Sequence, residues 1–261
     1  MLEVIEKGST SDAHPMPLLF VHGAWHAAWC WDENFLSYFA DKGYRAVALS
    51  FRAHGESSSN KPLWSCSVAD YVADVHSVAR LLPGPPVIIG HSMGGLIVQK
   101  YLEKHAAPAG VLMSSIPPRG NLGNALRWLR QRPSDFVRMT ITGKALPYIN
   151  SPESARERFF SSHTPEADVR KYAARMQEDS SRIGLDGLLL KLPRPKRVSA
   201  PILVLGAEND GAHTREEIVA TARAYGTTAE FFPDMGHNMM LEPGWAAVAE
   251  RIDGWLTTRG L

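Results

Sequence analysis

An α/β fold, with a mostly parallel sheet covered by helices on both faces and interrupted by a helical cap, is predicted by the order of apolar segments. Three observations carry this prediction. Short apolar runs of strand length alternate with amphipathic stretches up to residue 115 and again from residue 199. The interval 116–198 contains helical pieces and no convincing strand, a delay far longer than an ordinary connection. The 261 residues are 44% hydrophobic and 21% charged, enough apolar material for one sizeable core. The expected organisation is therefore a core of residues 1–115 and 199–261, with a cap of residues 116–198 inserted in it.

The elements follow in order. Pro17-Leu18-Leu19-Phe20-Val21 is an apolar run closed by His22-Gly23, which reads as a buried strand. Phe35, Leu36 and Phe39 share one face of a helix that Gly43 stops, and Tyr44–Leu49 is a second strand. Ser67 with Asp70 three residues on has the form of a helix start. Behind it Val68, Tyr71, Val72, Val75, Val78 and Leu82 recur at helical spacing until Pro83-Gly84-Pro85-Pro86. Val87-Ile88-Ile89 is the next strand, and Leu96, Ile97, Tyr101 and Leu102 mark a helix after Ser92. Gly110–Met113 and Pro201–Leu205 are strands on either side of the cap. Within the cap, Thr164-Pro165-Glu166 predicts an N-cap followed by proline at the first helical position. Thr214 to Glu217 is a capping box opening a helix that Gly226 ends; Glu230-Phe231-Phe232 is a short strand, and Pro243–Leu256 the last helix.

Composition excludes several classes. A net charge near +1 offers no basic surplus for nucleic acid, and no steering toward strongly charged substrates, which favours neutral ones. Cys30 and Cys66 are too few for a disulfide scaffold and lack metal-ligand spacing. The first fifteen residues hold no apolar signal-peptide core, and no run approaches eighteen apolar residues. The expectation is a soluble, cytoplasmic protein, a monomer or homodimer, that takes a small molecule and needs neither metal nor organic cofactor.

Gly90-His91-Ser92-Met93-Gly94 matches G-x-S-x-G directly after a predicted strand and at the start of a helical pattern. That setting is the strand–turn–helix context a nucleophile elbow requires, and Gly90, Gly94 and Gly95 are small enough to let neighbouring backbone pass. A serine hydroxyl needs a base. His237, in the loop before the last helix, is the candidate. His14, His105 and His163 sit in polar stretches; His91 is expected to point away from the nucleophile, and His22 and His54 to serve as structural hydrogen-bonders. The orienting acid should follow the strand ending at Leu205, where Asp210 has the better spacing and Glu208 is the alternative. An oxyanion hole would combine the Met93 N–H with one from the loop after the first strong strand, Ala24 first and Trp25 second.

With these residues together, the chain resembles an α/β-hydrolase fold enzyme, a capped member of the esterase–lipase group. The resemblance runs through HG at 22–23, SFRAHGES at 50–57, GHSMGG at 90–95, GAENDG at 206–211 and DMGHN at 234–238. HGAWHAAWCW is similar to the plant methylesterase and hydroxynitrile lyase branch, where the residue after His-Gly supplies an oxyanion N–H, which implies Ala24. GHSMGG resembles monoacylglycerol-lipase and lysophospholipase-like bacterial hydrolases. Ser50-Phe51-Arg52-Ala53-His54-Gly55 departs from the D-x-x-G-H-G of many members. Ser92 at the elbow argues against epoxide hydrolases and haloalkane dehalogenases, which carry Asp there. Gly211 and Ala212, where the lyases carry a lysine, argue against cyanogenic lyase activity.

The resemblance implies ester hydrolysis through an acyl-enzyme, with Ser92, His237 and Asp210 as the triad. Trp25, Trp29 and Trp31, with the cap aromatics, suggest an apolar pocket for a medium acyl or aryl group. Trp25, Trp128 and Phe136 are the expected substrate-binding residues, although ordinary core packing would use the same aromatics. A carbon–carbon bond hydrolase of dienoic or diketo acids would want a cap cation facing the site, for which Arg127, Arg130, Arg132 and Arg138 are available. A ligand receptor on the same fold is the reading from another class.

Overall fold

The computed structural model describes residues 1–261, the side chain of Leu189 apart. Seven strands form one sheet: β1 (Val4–Lys7), β2 (Leu18–Val21), β3 (Ala46–Leu49), β4 (Val87–His91), β5 (Gly110–Met113), β6 (Ile202–Ala207) and β7 (Ala229–Phe232). Their spatial order is β1-β3-β2-β4-β5-β6-β7, and every pairing is parallel except β1 with β3. The α/β class is as the sequence predicts. The first strand is the one it missed, because Val4-Ile5-Glu6-Lys7 is an edge strand with exposed and half-buried positions and no apolar run.

The central strands are buried on both faces, which is why they read as continuous apolar runs. Alternation still sorts their side chains. Leu18, Phe20, Ala46, Ala48, Val87, Ile89, Val111 and Met113 enter one core layer, while Leu19, Val21, Val47, Leu49, Ile88 and Leu112 enter the other. The first layer is closed by α1 (Trp29–Asp32), α2 (Phe35–Asp41) and, at the end of the chain, a helix over Trp245–Thr257. The second is closed by α3 (Val68–Ala79), α4 (Met93–Leu102) and a helix over Arg215–Ala224.

Between β5 and β6 the chain runs through α5 (Leu122–Gln131), α6 (Pro133–Thr142), α7 (Pro152–Phe159), α8 (Glu166–Ala174) and α9 (Ser181–Leu185). The helices that close the fold are then α10 (Arg215–Ala224) and α11 (Trp245–Thr257). Both predicted capping boxes are formed, Ser67 with Asp70 and Thr214 with Glu217. The start of α8 differs from expectation. Pro165 is itself the cap residue and Glu166 the first helical one, and the Thr164 hydroxyl donates to the Glu242 carboxylate at 2.7 Å.

Strand order reverses at β2: the chain steps from β2 to β3 on one side and then to β4 on the other. In open α/β sheets such a switch point leaves a crevice outside the carboxyl ends of the two strands. The loops that open there are Gly23–Trp25 after β2 and Ser92 after β4.

Candidate active site

Ser92 links β4 to α4 with φ 52° and ψ −117°, a backbone conformation that a non-glycine residue adopts only under constraint. The constraints are visible. Ser92 N–H donates to the Met113 carbonyl at 3.0 Å, and the Ser92 carbonyl accepts from Ile116 at 3.1 Å. A methyl group on Gly94 would overlap the carbonyl oxygens of Val21 and His22, so glycine there lets the first turn of α4 lie against the end of β2. The Ser92 side chain stays partly accessible, whereas His91 and Met93 on either side are buried.

His237 and Asp210 are brought together from the loops after β7 and β6. His237 Nδ1 lies 2.9 Å from both carboxylate oxygens of Asp210, with the two side chains 2% and 1% exposed. Asp210 Oδ1 also accepts the N–H groups of Ala212 and His213 at 2.8 and 2.9 Å. Burial alone would raise the carboxyl's pKa, but His237 and these N–H donors hold it well below the usual range. A permanent carboxylate at Nδ1 favours the tautomer that carries its proton there and leaves the Nε2 lone pair free. Glu208, the sequence alternative, is turned outward and pairs with Arg215 at 2.9 Å.

His91 has a partner the sequence did not indicate. It packs its ring 4.7 Å from that of His237, and its Nε2 donates to the His237 carbonyl at 2.9 Å. Burial, followed by the neighbouring His237 and His26, pushes its pKa well down, so the ring is neutral. The base loop is held from a second direction by α7, where the Phe159 carbonyl accepts Asn238 N–H at 2.9 Å and the Phe159 ring lies 6.0 Å from the His237 ring.

The loop after β2 is fixed peptide by peptide. His22 Nδ1 donates to the Gly23 carbonyl at 2.8 Å and its Nε2 accepts Phe51 N–H at 3.1 Å. Burial, aided by the charge of His54, pushes the His22 pKa down to about 3, which suits this neutral donor–acceptor role. His26 Nδ1 holds the Ala24 carbonyl at 2.8 Å, and burial pushes its pKa down to about 4. Trp25 adopts φ 64°, and its N–H is committed to Asp179 Oδ2 at 3.1 Å. Of the two amides considered for an oxyanion hole, Ala24 N–H is the one without that commitment. Met93 N–H, in the first turn of α4, is among the donors a helix cannot satisfy internally.

The expected pocket aromatics separate. Trp25 packs on Phe159 at 5.8 Å, beside His237. Trp128 and Phe136 pack on one another at 6.2 Å, and Trp128 is also covered by the Arg158 guanidinium at 4.3 Å. Trp31 is wholly buried in the core against Phe20. Of the cap cations, Arg127 and Arg132 pair with Glu217 and Glu157, and Arg130 and Arg138 are exposed. The buried cation is one the sequence did not single out, Arg158, whose backbone lies against Gly211 beside Asp210. Burial lowers its pKa to about 10, leaving it charged at neutral pH. Phe159 and Asp179 were equally unmarked in sequence, since one aromatic and one acid among many carry no pattern. Among the described residues no group of three or more His, Cys, Asp or Glu could hold a metal ion.

A serine on a strained elbow, a carboxylate–histidine pair and a fixed amide loop all lie on loops at the carboxyl ends of the strands. The chain belongs to the Alpha/beta hydrolase family, whose model matches residues 18–251. It is 36% identical over 108 residues to the non-heme chloroperoxidase of Burkholderia pyrrocinia, 39% of this chain and 38% of that protein. It is 33% identical over 129 residues to the human protein phosphatase methylesterase 1, covering 46% of this chain and 33% of that protein. The chain thus aligns with well under half the length of these curated relatives. Among solved structures, it superposes on a thermophilic esterase from Thermogutta terrifontis with a TM-score of 0.74 and 21% identity, over 100% of this chain and 94% of the other. The monoacylglycerol lipase of Paleococcus ferrophilus matches with a TM-score of 0.71 and 20% identity, over 99% of both chains. These structural likenesses show the shared fold.

Proposed function

We propose that this protein is a serine hydrolase that cleaves carboxylic esters of medium-sized apolar or aromatic substrates through an acyl-enzyme. The observation that carries the reading is the His237–Asp210 contact, Nδ1 2.9 Å from both oxygens, together with the strained Ser92, whose chain neighbour His91 packs its ring on that of His237. In this mechanism His237 Nε2 takes the Ser92 proton as Oγ attacks the ester carbonyl. Asp210 holds the tautomer and stabilises the imidazolium. Ala24 and Met93 N–H groups receive the oxyanion; His237 then protonates the leaving alkoxide and activates the water that releases the acid. The chain's likeness to a protein phosphatase methylesterase, and the fold it shares with an esterase, support ester chemistry.

Two measurements test the reading. A fluorophosphonate probe should label the wild-type protein at Ser92, and Ser92→Ala should abolish both labelling and turnover while keeping the wild-type melting temperature. An unlabelled, inactive wild type would favour a ligand receptor. A panel of nitrophenyl esters of increasing acyl length, run beside a dienoic acid, separates the chemistries: turnover of the dienoic acid alone would replace ester hydrolysis with carbon–carbon bond hydrolysis.

A further inference from the structure

The loop that would form the oxyanion hole is gripped by the helical segment inserted between β5 and β6. The segment between α8 and α9 meets the Trp25 residue at both ends: Asp179 Oδ2 accepts its N–H at 3.1 Å, and Gln177 N–H donates to its carbonyl at 3.0 Å. Asp179 is in turn fixed from the core, by the Tyr71 hydroxyl at 3.3 Å and by His54 at 3.5 Å, and it accepts Ser180 N–H at 2.6 Å. Gln177 binds the loop after β3 as well, its side chain taking Gly55 N–H at 2.8 Å and donating to the Ala53 carbonyl at 3.3 Å. The Asp179 carboxylate is 6% exposed.

This grip acts on a strained residue. Trp25 sits at φ 64°, a left-handed conformation that is disfavoured for an L-residue of its bulk. The peptide between Ala24 and Trp25 is held at one end by His26 and at the other by Asp179. Release of the Asp179 end lets Trp25 relax, and the rotation is felt at the adjoining peptide, whose N–H belongs to Ala24.

We propose that Asp179 is a positioning residue for the oxyanion hole, so that the inserted helical segment, and not the core alone, sets the direction of the Ala24 N–H. The inference rests on the ester-hydrolase reading above. It adds a residue that touches no reacting atom and acts through Trp25.

The test compares wild type, Asp179→Asn, Asp179→Ala and Tyr71→Phe on an aryl ester and on its thiono analogue, whose C=S makes poorer use of oxyanion donors. A damaged hole slows the oxo ester more than the thiono ester, whereas a general loss of structure slows both equally. Asp179→Asn should lower kcat on the oxo ester roughly tenfold, a misdirected donor, and Asp179→Ala roughly a hundredfold, the lower edge of the cost of one lost donor. KM should change by less than about twofold, and the oxo/thiono ratio should shrink in step with kcat. Binding of a trifluoromethyl ketone, which forms an oxyanion adduct with serine, should weaken by the same factors. Tyr71→Phe keeps the shape of the core and removes one donor to Asp179, so it should move the same ratio in the same direction even if Asp179→Ala does not fold. Fluorophosphonate titration gives the active fraction in each case. An unchanged oxo/thiono ratio in folded Asp179→Asn and Tyr71→Phe would overturn the proposal while leaving the hydrolase reading intact. A wild type without labelling or turnover would overturn both.

Discussion

At the residue scale, the choice between two carboxylates shows what spacing can and cannot do. Asp210 and Glu208 lie on the same short loop after β6, two residues apart, and either could follow that strand as an acid. The fold turns Asp210 inward onto His237 and leaves Glu208 paired with Arg215 at the surface. Asp210→Asn is therefore expected to reduce kcat by about 10³–10⁴, since an amide no longer enforces the tautomer or stabilises the imidazolium. Glu208→Gln should remain within about twofold, because an exposed ion pair contributes at most roughly 1 kcal/mol. Steady-state kinetics on one nitrophenyl ester checks both, and equal losses would reverse the assignment of the acid. Ser92 and His237 could be singled out as candidates because their motifs are local. His91, Phe159, Arg158 and Asp179 were not, since each derives its position from a partner far away in the chain.

At the element scale, local chemistry was read well wherever a signal and its partner lie within one turn. The capping boxes at Ser67–Asp70 and Thr214–Glu217 need only their own backbone, and both are formed. Thr214→Ala should cost about 1 kcal/mol in urea denaturation, the usual effect of removing an N-cap hydroxyl. A loss below about 0.3 kcal/mol would mean that Arg127, which holds Glu217 through both oxygens, keeps that helix start in place by itself. The Thr164 signal was displaced by one residue: Pro165 is the cap, and the Thr164 side chain is tied to the buried Glu242, 78 residues on, a partner no local pattern shows. β1 was invisible because an edge strand needs apolar side chains on only part of its surface.

At the scale of the whole molecule, the near-neutral total conceals a division. Residues 116–198 hold sixteen Lys and Arg against eight Asp and Glu, so the inserted segment carries +8 and the remainder of the +1 chain carries −7. The balance that argued against steering of charged substrates therefore does not describe the helices between β5 and β6. One buried pair joins those two bodies, Asp179 of the inserted segment with His54 of the core. Burial opposes the charged form of each, but their mutual attraction prevails, raising the His54 pKa and lowering that of Asp179. The raised histidine contributes stability below its unfolded value of about 6.5 and loses it as pH rises through the folded value; the lowered aspartate contributes above about 3.9 and loses it as pH falls. The pair should thus stabilise most between about pH 4 and 6.5. Urea unfolding of wild type and His54→Gln should show a gap at pH 5.5 that narrows at pH 8.5; a gap that widens would contradict the ion pair.

Sequence alone determined the α/β class, the break between β5 and β6, and the serine and histidine of the candidate site. These depend on periodicity, on caps and on glycine-flanked turns, all of which act between near neighbours in the chain. Tertiary structure decided which carboxylate faces His237, that the Trp25 amide is committed to Asp179, and which residues hold the Gly23–Trp25 loop. Those outcomes turn on contacts such as Asp179 with Trp25 and Phe159 with His237. Such partners are brought together only when burial of the apolar faces closes the chain, and no spacing within either segment encodes them.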